Sequence, residues 1–272
     1  MHHARRESPV LSNPRSDRVR AVRALSRRAV RSRQGLFLVE GPQSVREAVT
    51  HRPDLVRELY VTTAALARHA DILGAATAAG LEAQEASGEV LAAMSETEAP
   101  QGLLAVCRVP GFSLDAVLRA RPRLLCVLTN VRDPGNAGTV LRGADAAGAD
   151  AVVLSDNSVD VYGPKVVRST AGSLFHLPVV VGVPVDEILR QVRGAGLALL
   201  AADGAGKTLL GEVDLGPPHA WVFGNEAWGL GDTLLARCDD AVRVPVYGSA
   251  ESLNLAMAAT ICLYASATAR HT

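Results

Sequence analysis

The stretch LLCVLTNVRDPGNAGTVLRGADAAGADAVVLS, residues 124–155, constrains the fold more than any other part of the chain. LLCVLT reads as an apolar strand, NAGTVLRGADAAG as a helix stopped by Gly148, and AVVLS as the next strand. A strand-helix-strand unit is a crossover connection, so the two strands are expected to be parallel and the crossover right-handed. Strands this continuously apolar need cover on both faces. Further strand candidates are HLPVVVG, LALLAAD, AWVFG and AVRVPV, interleaved with helices around residues 185–193, 229–237 and 252–269. The expectation is an α/β domain with a parallel sheet between helical layers.

The first hundred residues alternate in the same way but on a smaller scale. Residues 13–33 have helical spacing, GLFLVEG is a short strand closed by Gly41 and Pro42, and SVREAVTHR is helical. VRELYVT and GLLAVCRV read as strands, and AALARHADILGAATAAG and GEVLAAMSE as helices. This predicts a small α/β/α layer domain over residues 1–108. PGFSLDAVLRARPR, bounded by Pro110 and Pro122, gives a linker over 109–121 with a short helix, and the parallel-sheet domain then occupies 122–272. Two domains suit a chain of 272 residues.

Charge excludes less than it suggests. The net charge is zero, but residues 1–35 hold ten arginines against Glu7 and Asp17, a net of +8, which leaves −8 for the rest. Two readings carry equal weight: a partly disordered basic arm that contacts a phosphate backbone, or a solvated helix face. LNLAMAATICLYASATA, residues 253–269, is interrupted by Asn254, Thr260, Ser266 and Thr268 and reads as a buried helix rather than a membrane span. The Arg-rich start lacks the apolar core of a secretory signal, so the expected location is the cytoplasm. Cys107, Cys126, Cys238 and Cys262 are widely spaced with no CxxC pair, which predicts reduced thiols and no metal site.

Several Gly-rich stretches compete for a chemical role. AADGAGKTLL, residues 201–210, resembles a P-loop, but Ala201 stands where the motif needs glycine. DPGNAGTVLRG also fails as a dinucleotide fingerprint, because its glycines are spaced by three and five. Asn136 is nevertheless a good N-cap, and Arg142 lies one turn beyond Gly138 on the same face, where a ligand admitted by the glycine would meet it. WVFGNEAWGLGD and VRVPVYGSAESLNLAMA repeat the pattern of apolar strand, polar Gly-containing loop and helix, with Ser252 placed to cap a helix whose first turn presents Asn254. Three such loops at strand ends of one sheet can converge on a single ligand.

At these three loops the sequence resembles the SpoU, or TrmH-like, branch of the SPOUT methyltransferases, over about residues 122–272. NVRDPGNAGTVLR, VFGNEAWGL and VPVYGSAESLNLAMA are similar to the family's three motifs in order and spacing. GLFLVEGPQSVREAV resembles the start of an L30e-like substrate-binding domain, and KVVRSTAGSLFHLPV also looks like the family. The resemblance implies transfer of a methyl group from S-adenosylmethionine to a ribose 2′-hydroxyl in RNA, a C-terminal trefoil knot, and a homodimer packed through it. It assigns catalysis to Arg142, Asn136, Glu226, Ser252 and Asn254. It assigns cofactor binding to Phe223, Gly224, Asn225, Leu230, Val244, Val246, Ser252, Leu253 and Met257, with Gly224 letting the backbone approach closely. Arg132, Arg142, Arg168 and Ser169 are implied as RNA contacts. No metal is implied. The L30e-like domain favours ribosomal RNA. The alternatives are a transfer-RNA 2′-O-methyltransferase, a base-nitrogen methyltransferase and a non-catalytic RNA-binding homologue.

Overall fold

The computed structural model describes residues 9–271. In chain order the first elements are α1 (Asp17–Arg23), α2 (Arg28–Gln34), β1 (Leu36–Glu40), α3 (Pro42–His51), β2 (Val56–Thr62), α4 (Thr63–Leu66), α5 (Ala70–Ala78), β3 (Ala83–Ala86), α6 (Gly88–Met94) and β4 (Leu103–Arg108). There follow α7 (Leu114–Arg119), β5 (Leu124–Leu128), α8 (Pro134–Ala146), β6 (Ala151–Ser155), α9 (Pro164–Ser169), β7 (Val179–Val183), α10 (Val185–Gly194), β8 (Ala198–Ala202), β9 (Thr208–Leu209), β10 (His219–Phe223), α11 (Asp232–Leu235), β11 (Asp240–Arg243) and α12 (Leu255–His271). They form two compact units, one of the residues up to Pro110 with Tyr162–Phe175, the other of Gly111–Val161 with the residues from His176 onward.

In the first unit the strand order is β1-β4-β2-β3, with β4 antiparallel to both neighbours and β2 parallel to β3. The basic segment is folded across residues 17–34, so the disordered-arm reading fails there; residues 1–8 lie outside the described residues. Val19, Val22, Leu25 and Val30 are buried against Leu38, Tyr60, Leu91 and Leu104, which fixes the segment on the sheet. It is not one helix. The chain turns extended at Arg27 (ψ 127°), and the buried Arg31 guanidinium donates to the carbonyls of Leu25 and Ser26 at 2.7 and 2.6 Å, holding the break. The helix expected over residues 64–80 is likewise split, into α4 and α5. β3 was not foreseen because AQEA has weak strand propensity; pairing with β2 supplies what the residues lack.

Within the expected 122–272 domain, Tyr162–Phe175 packs with the first unit. β1 is buried at every position, and the ring of Phe37 is covered by Tyr162 at 5.0 Å and Phe175 at 6.3 Å between centroids. Although β1 is an edge strand, both of its faces are apolar, and the second is covered by the segment that follows β6.

The second unit holds a seven-stranded sheet in the order β7-β6-β5-β10-β8-β11-β9, parallel at every pairing, as the opening stretch predicted. Leu125, Val127, Val153, Leu199 and Val222 pack with Ile188, Leu189 and Val192 of α10. α12 packs on α8 closely enough that a Cβ on Gly143 would lie 2.8 Å from Thr260 Oγ1. The last helix, expected as a buried helix rather than a membrane span, has one buried face and one exposed apolar face. Ala256, Ala259, Cys262, Leu263 and Ser266 are buried, but Met257, Ile261 and Tyr264 are exposed. Among the described residues no helix is long and apolar enough to cross a membrane. All four cysteines are free thiols, and burial pushes that of Cys107 up to about 12.

Candidate active site

Neighbouring parallel strands β8, β10 and β11 end on one rim, where open α/β sheets characteristically bind ligands. A cavity of about 290 Å³ opens there, lined by residues that follow each strand: Asp203 and Gly204 after β8, Gly224, Asn225, Glu226 and Gly229 after β10, and Val244, Val246, Glu251, Ser252 and Leu253 after β11. Of the expected cofactor residues, Gly224, Asn225, Val244, Val246, Ser252 and Leu253 line it. Phe223, Leu230 and Met257 do not. Phe223 stacks on Trp221 inside the sheet packing, Leu230 is part of the core, and Met257 is on the exposed stripe of α12.

The loop after β8 was missed as a lining element. Its signal was the apolar strand LALLAAD ending in Asp-Gly, obscured by the P-loop look of GAGK. Gly206 serves the sheet rather than a phosphate: a Cβ there would lie 2.5 Å from the Ala241 carbonyl oxygen, and the chain returns to pair as β9.

After β10 the chain makes a tight turn closed by reciprocal backbone hydrogen bonds between Asn225 and Gly229 at 3.0 and 2.9 Å. Asn225 Oδ1 accepts the Ala227 N–H at 2.8 Å, and its Nδ2 donates to the Asn130 carbonyl at 2.7 Å, tying this loop to the one after β5. Gly224 is needed for the fold-back, since a Cβ would lie 2.3 Å from the Gly229 carbonyl carbon. The expected close approach at Gly224 is thus made by the protein's own backbone.

The same two loops and the start of α12 are joined by a polar chain. Glu226 accepts from the Arg132 and Asp133 backbone N–H groups at 3.2 and 3.1 Å and from Asn136 Nδ2 at 3.2 Å. Asn254 Nδ2 then donates to Asn136 Oδ1 at 3.0 Å. The expected caps are reassigned. Asp133 caps α8 by accepting the Asn136 N–H at 2.7 Å with Pro134 in the first turn, which leaves the Asn136 amide available for the bridge. Asn254, not Ser252, accepts the Ala256 N–H at the start of α12.

Replacing Glu226 with alanine removes three accepted hydrogen bonds at an exposed site, a loss of about 1–2 kcal/mol of local order. The expected result is faster amide exchange at Arg132 and Asp133 with the melting temperature nearly unchanged; unchanged exchange would show that Glu226 holds nothing.

Arg142 is exposed on α8 and does not line the cavity, and among the described residues no hydrogen bond or ion pair engages it. Gly138 is buried in the helix packing, so it opens no slot beside the guanidinium. Arg132 is exposed in the loop before α8. Arg168 and Ser169 do not line this cavity; they lie in the first unit, where Arg168 is 3.7 Å from Glu40 and Ser169 Oγ donates to the Val166 carbonyl at 2.9 Å.

Comparison with known proteins places the site in context. Residues 123–264 match the model of the SpoU rRNA Methylase family, and residues 16–105 that of the MRM3-like substrate binding domain. The 23S rRNA (guanosine(2553)-2′-O)-methyltransferase RlmP of Bacillus subtilis is 36% identical over 93% of this chain and 97% of its own. A 23S rRNA (uridine(2479)-2′-O)-methyltransferase of Streptomyces viridochromogenes is 34% identical over 88% of this chain and 85% of its own. The crystal structure of the SpoU methyltransferase AviRb from Streptomyces viridochromogenes with the cofactor AdoMet superposes with a TM-score of 0.82 at 33% identity, covering 94% of this chain and 99% of that one.

Proposed function

Because the chain belongs to the SpoU rRNA methylase family, we infer that it transfers the methyl group of S-adenosylmethionine to a ribose 2′-hydroxyl of ribosomal RNA. The observation that carries this is the Glu226–Asn136–Asn254 chain, which ties three loops together beside a cavity at the ends of parallel strands. A homologue kept only for binding RNA has no need of that bridge.

The cavity fits the cofactor. Val244, Val246 and Leu253 offer apolar walls for a purine, and Asp203, Glu226 and Glu251 supply negative charge suited to a sulfonium. When bound, S-adenosylmethionine supplies an electrophilic methyl carbon. The protein must then align the ribose hydroxyl with that carbon and favour loss of its proton. A guanidinium holds its protons too tightly to serve as a base. Arg142 therefore binds the RNA phosphate next to the reacting ribose and stabilises the developing alkoxide, with that phosphate as proton acceptor. Asn136 and Asn254, fixed by Glu226, orient the ribose, and Ser252 contributes at the cavity wall.

Since Arg142 does not line its own chain's cavity, the reading places it in a site completed by a second copy. Met257, Ile261 and Tyr264, spaced along one stripe of α12, are the apolar face for such a homodimer. Ile261→Asp is expected to convert a dimer to a monomer in analytical ultracentrifugation; a wild-type monomer would contradict the assembly. The trefoil knot in the second unit and action in the cytoplasm, where ribosomes are made, belong to the same proposal.

The RNA class is tested by incubating the protein with methyl-labelled S-adenosylmethionine and total RNA. Label in ribosomal RNA is expected; label confined to transfer RNA would move the enzyme to the alternative class.

A further inference from the structure

We propose that the cavity beside Glu40 and Arg168 in the first unit receives an unstacked guanine of the RNA substrate, an inference that rests on the RNA-methyltransferase reading above. The cavity, about 240 Å³, lies where β1 ends and β4 begins, and Glu40, Gly41, Gln101, Leu103 and Arg168 are among its walls. It is somewhat smaller than the cavity of about 290 Å³ in the second unit and has room for a single base.

Its polar groups are already half committed. The Glu40 side chain is 4% exposed, and its two oxygens accept the backbone N–H groups of Glu96 and Thr97 at 3.0 and 3.2 Å. Held in this way, it neutralises Arg168 without satisfying it. Arg168 Nη1 lies 3.7 Å from Glu40 Oε1, beyond hydrogen-bond distance, and this buried nitrogen has no hydrogen-bond partner. Nη1 itself is closed off, but the Arg168 side chain is 36% exposed and among the described residues no hydrogen bond engages its other N–H groups, so the accessible edge of the guanidinium is open to acceptors that a ligand brings.

The charge balance selects which acceptor. A phosphate would bring a full negative charge up against the Glu40 carboxylate as well as the guanidinium, whereas a neutral ring with acceptors on one edge is repelled much less. The guanidinium fork matches two adjacent acceptors, and guanine O6 and N7 provide that pair. Gly41, at φ +86°, leaves the wall flat: a Cβ there would lie 3.3 Å from Gln101 Oε1. Leu103 adds an apolar surface, and proteins read RNA chiefly at unstacked bases.

Arg168→Lys keeps the charge and removes the fork. With ribosomal RNA as substrate, the expected result is a KM for RNA raised about 10-fold or more, the scale of one bidentate base contact, with the KM for S-adenosylmethionine and the melting temperature unchanged. Dimethyl sulfate should find one guanine N7 protected by the wild-type protein and exposed with Arg168→Lys. Gln101→Ala should raise the RNA KM by a smaller factor in the same direction, and it stands in if Arg168→Lys does not fold. An unchanged RNA KM, or a raised KM with no N7 protected by the wild type, overturns the guanine assignment; the second result indicates a phosphate contact. A wild-type protein that methylates no RNA removes the underlying reading and this inference with it, whereas an active wild type beside an unaffected Arg168→Lys removes the inference alone.

Discussion

Arg142→Ala is expected to lower kcat for RNA methylation about 10²–10³-fold, the usual cost of removing a donor aimed at developing negative charge, and to leave the Kd for S-adenosylmethionine within about twofold. The separation follows from placement. Arg142 is exposed on α8 and absent from the cavity walls, so truncating it removes no wall of the cofactor site. Its neighbours Leu141 and Gly143 are buried, but its own side chain supports no core contact, so the melting temperature should hold. Isothermal titration with the cofactor and single-turnover methylation check the two halves. Arg142→Lys is the informative control: it restores charge without the planar fork, and partial recovery would indicate phosphate binding. Full turnover by Arg142→Ala would remove the arginine from the mechanism.

Ser266→Ala should have the largest effect on stability, about 2–4 kcal/mol, because one hydroxyl serves two buried rings. His219 Nδ1 donates to the Pro217 carbonyl at 2.8 Å, which leaves Nε2 as the acceptor, 2.7 Å from Ser266 Oγ. Trp221 Nε1 donates to the same oxygen at 2.8 Å. Without the hydroxyl, a donor on β10 and an acceptor beside it lie unpaired under α12. Combining Ser266→Ala with Trp221→Phe should cost less than the separate effects added together, since one orphan is then removed. Chemical denaturation measures both; a Ser266→Ala protein as stable as wild type would contradict the account.

The same residues give the second unit a pH dependence. Burial pushes the His219 imidazole below its ordinary 6.5, and Arg270 and Arg123 push it further, against the Pro217 carbonyl, which favours the charged form. The unfolded chain therefore takes up a proton first as pH falls. This contribution to stability is complete above about pH 6.5 and is lost progressively below it.

How much the sequence disclosed varies by region, for physical reasons. The parallel sheet was legible because LLCVLT, AVVLS and AWVFG are apolar at consecutive positions, which only a doubly covered strand tolerates. β3 and β9 were illegible because AQEA and TL carry no strand pattern and are strands only by pairing with β2 and β11. The three motif loops were found as loops, yet their internal wiring was not. Local spacing favours Asn136 and Ser252 as caps, but Asp133 and Asn254 take those places because Pro134 starts α8 earlier and the last helix starts later. Composition likewise could not show that Tyr162–Phe175 leaves the sheet to cover Phe37, since that contact joins residues far apart in the chain.

The chemistry of the transferred group is the most direct test of the whole account. Ribosomal RNA labelled by this protein with methyl-labelled S-adenosylmethionine is digested to completion with alkali, which requires a free 2′-hydroxyl at each linkage it cleaves. The account predicts that the label is recovered in one alkali-resistant dinucleotide. Label recovered in a mononucleotide would mean a methylated base and would contradict it.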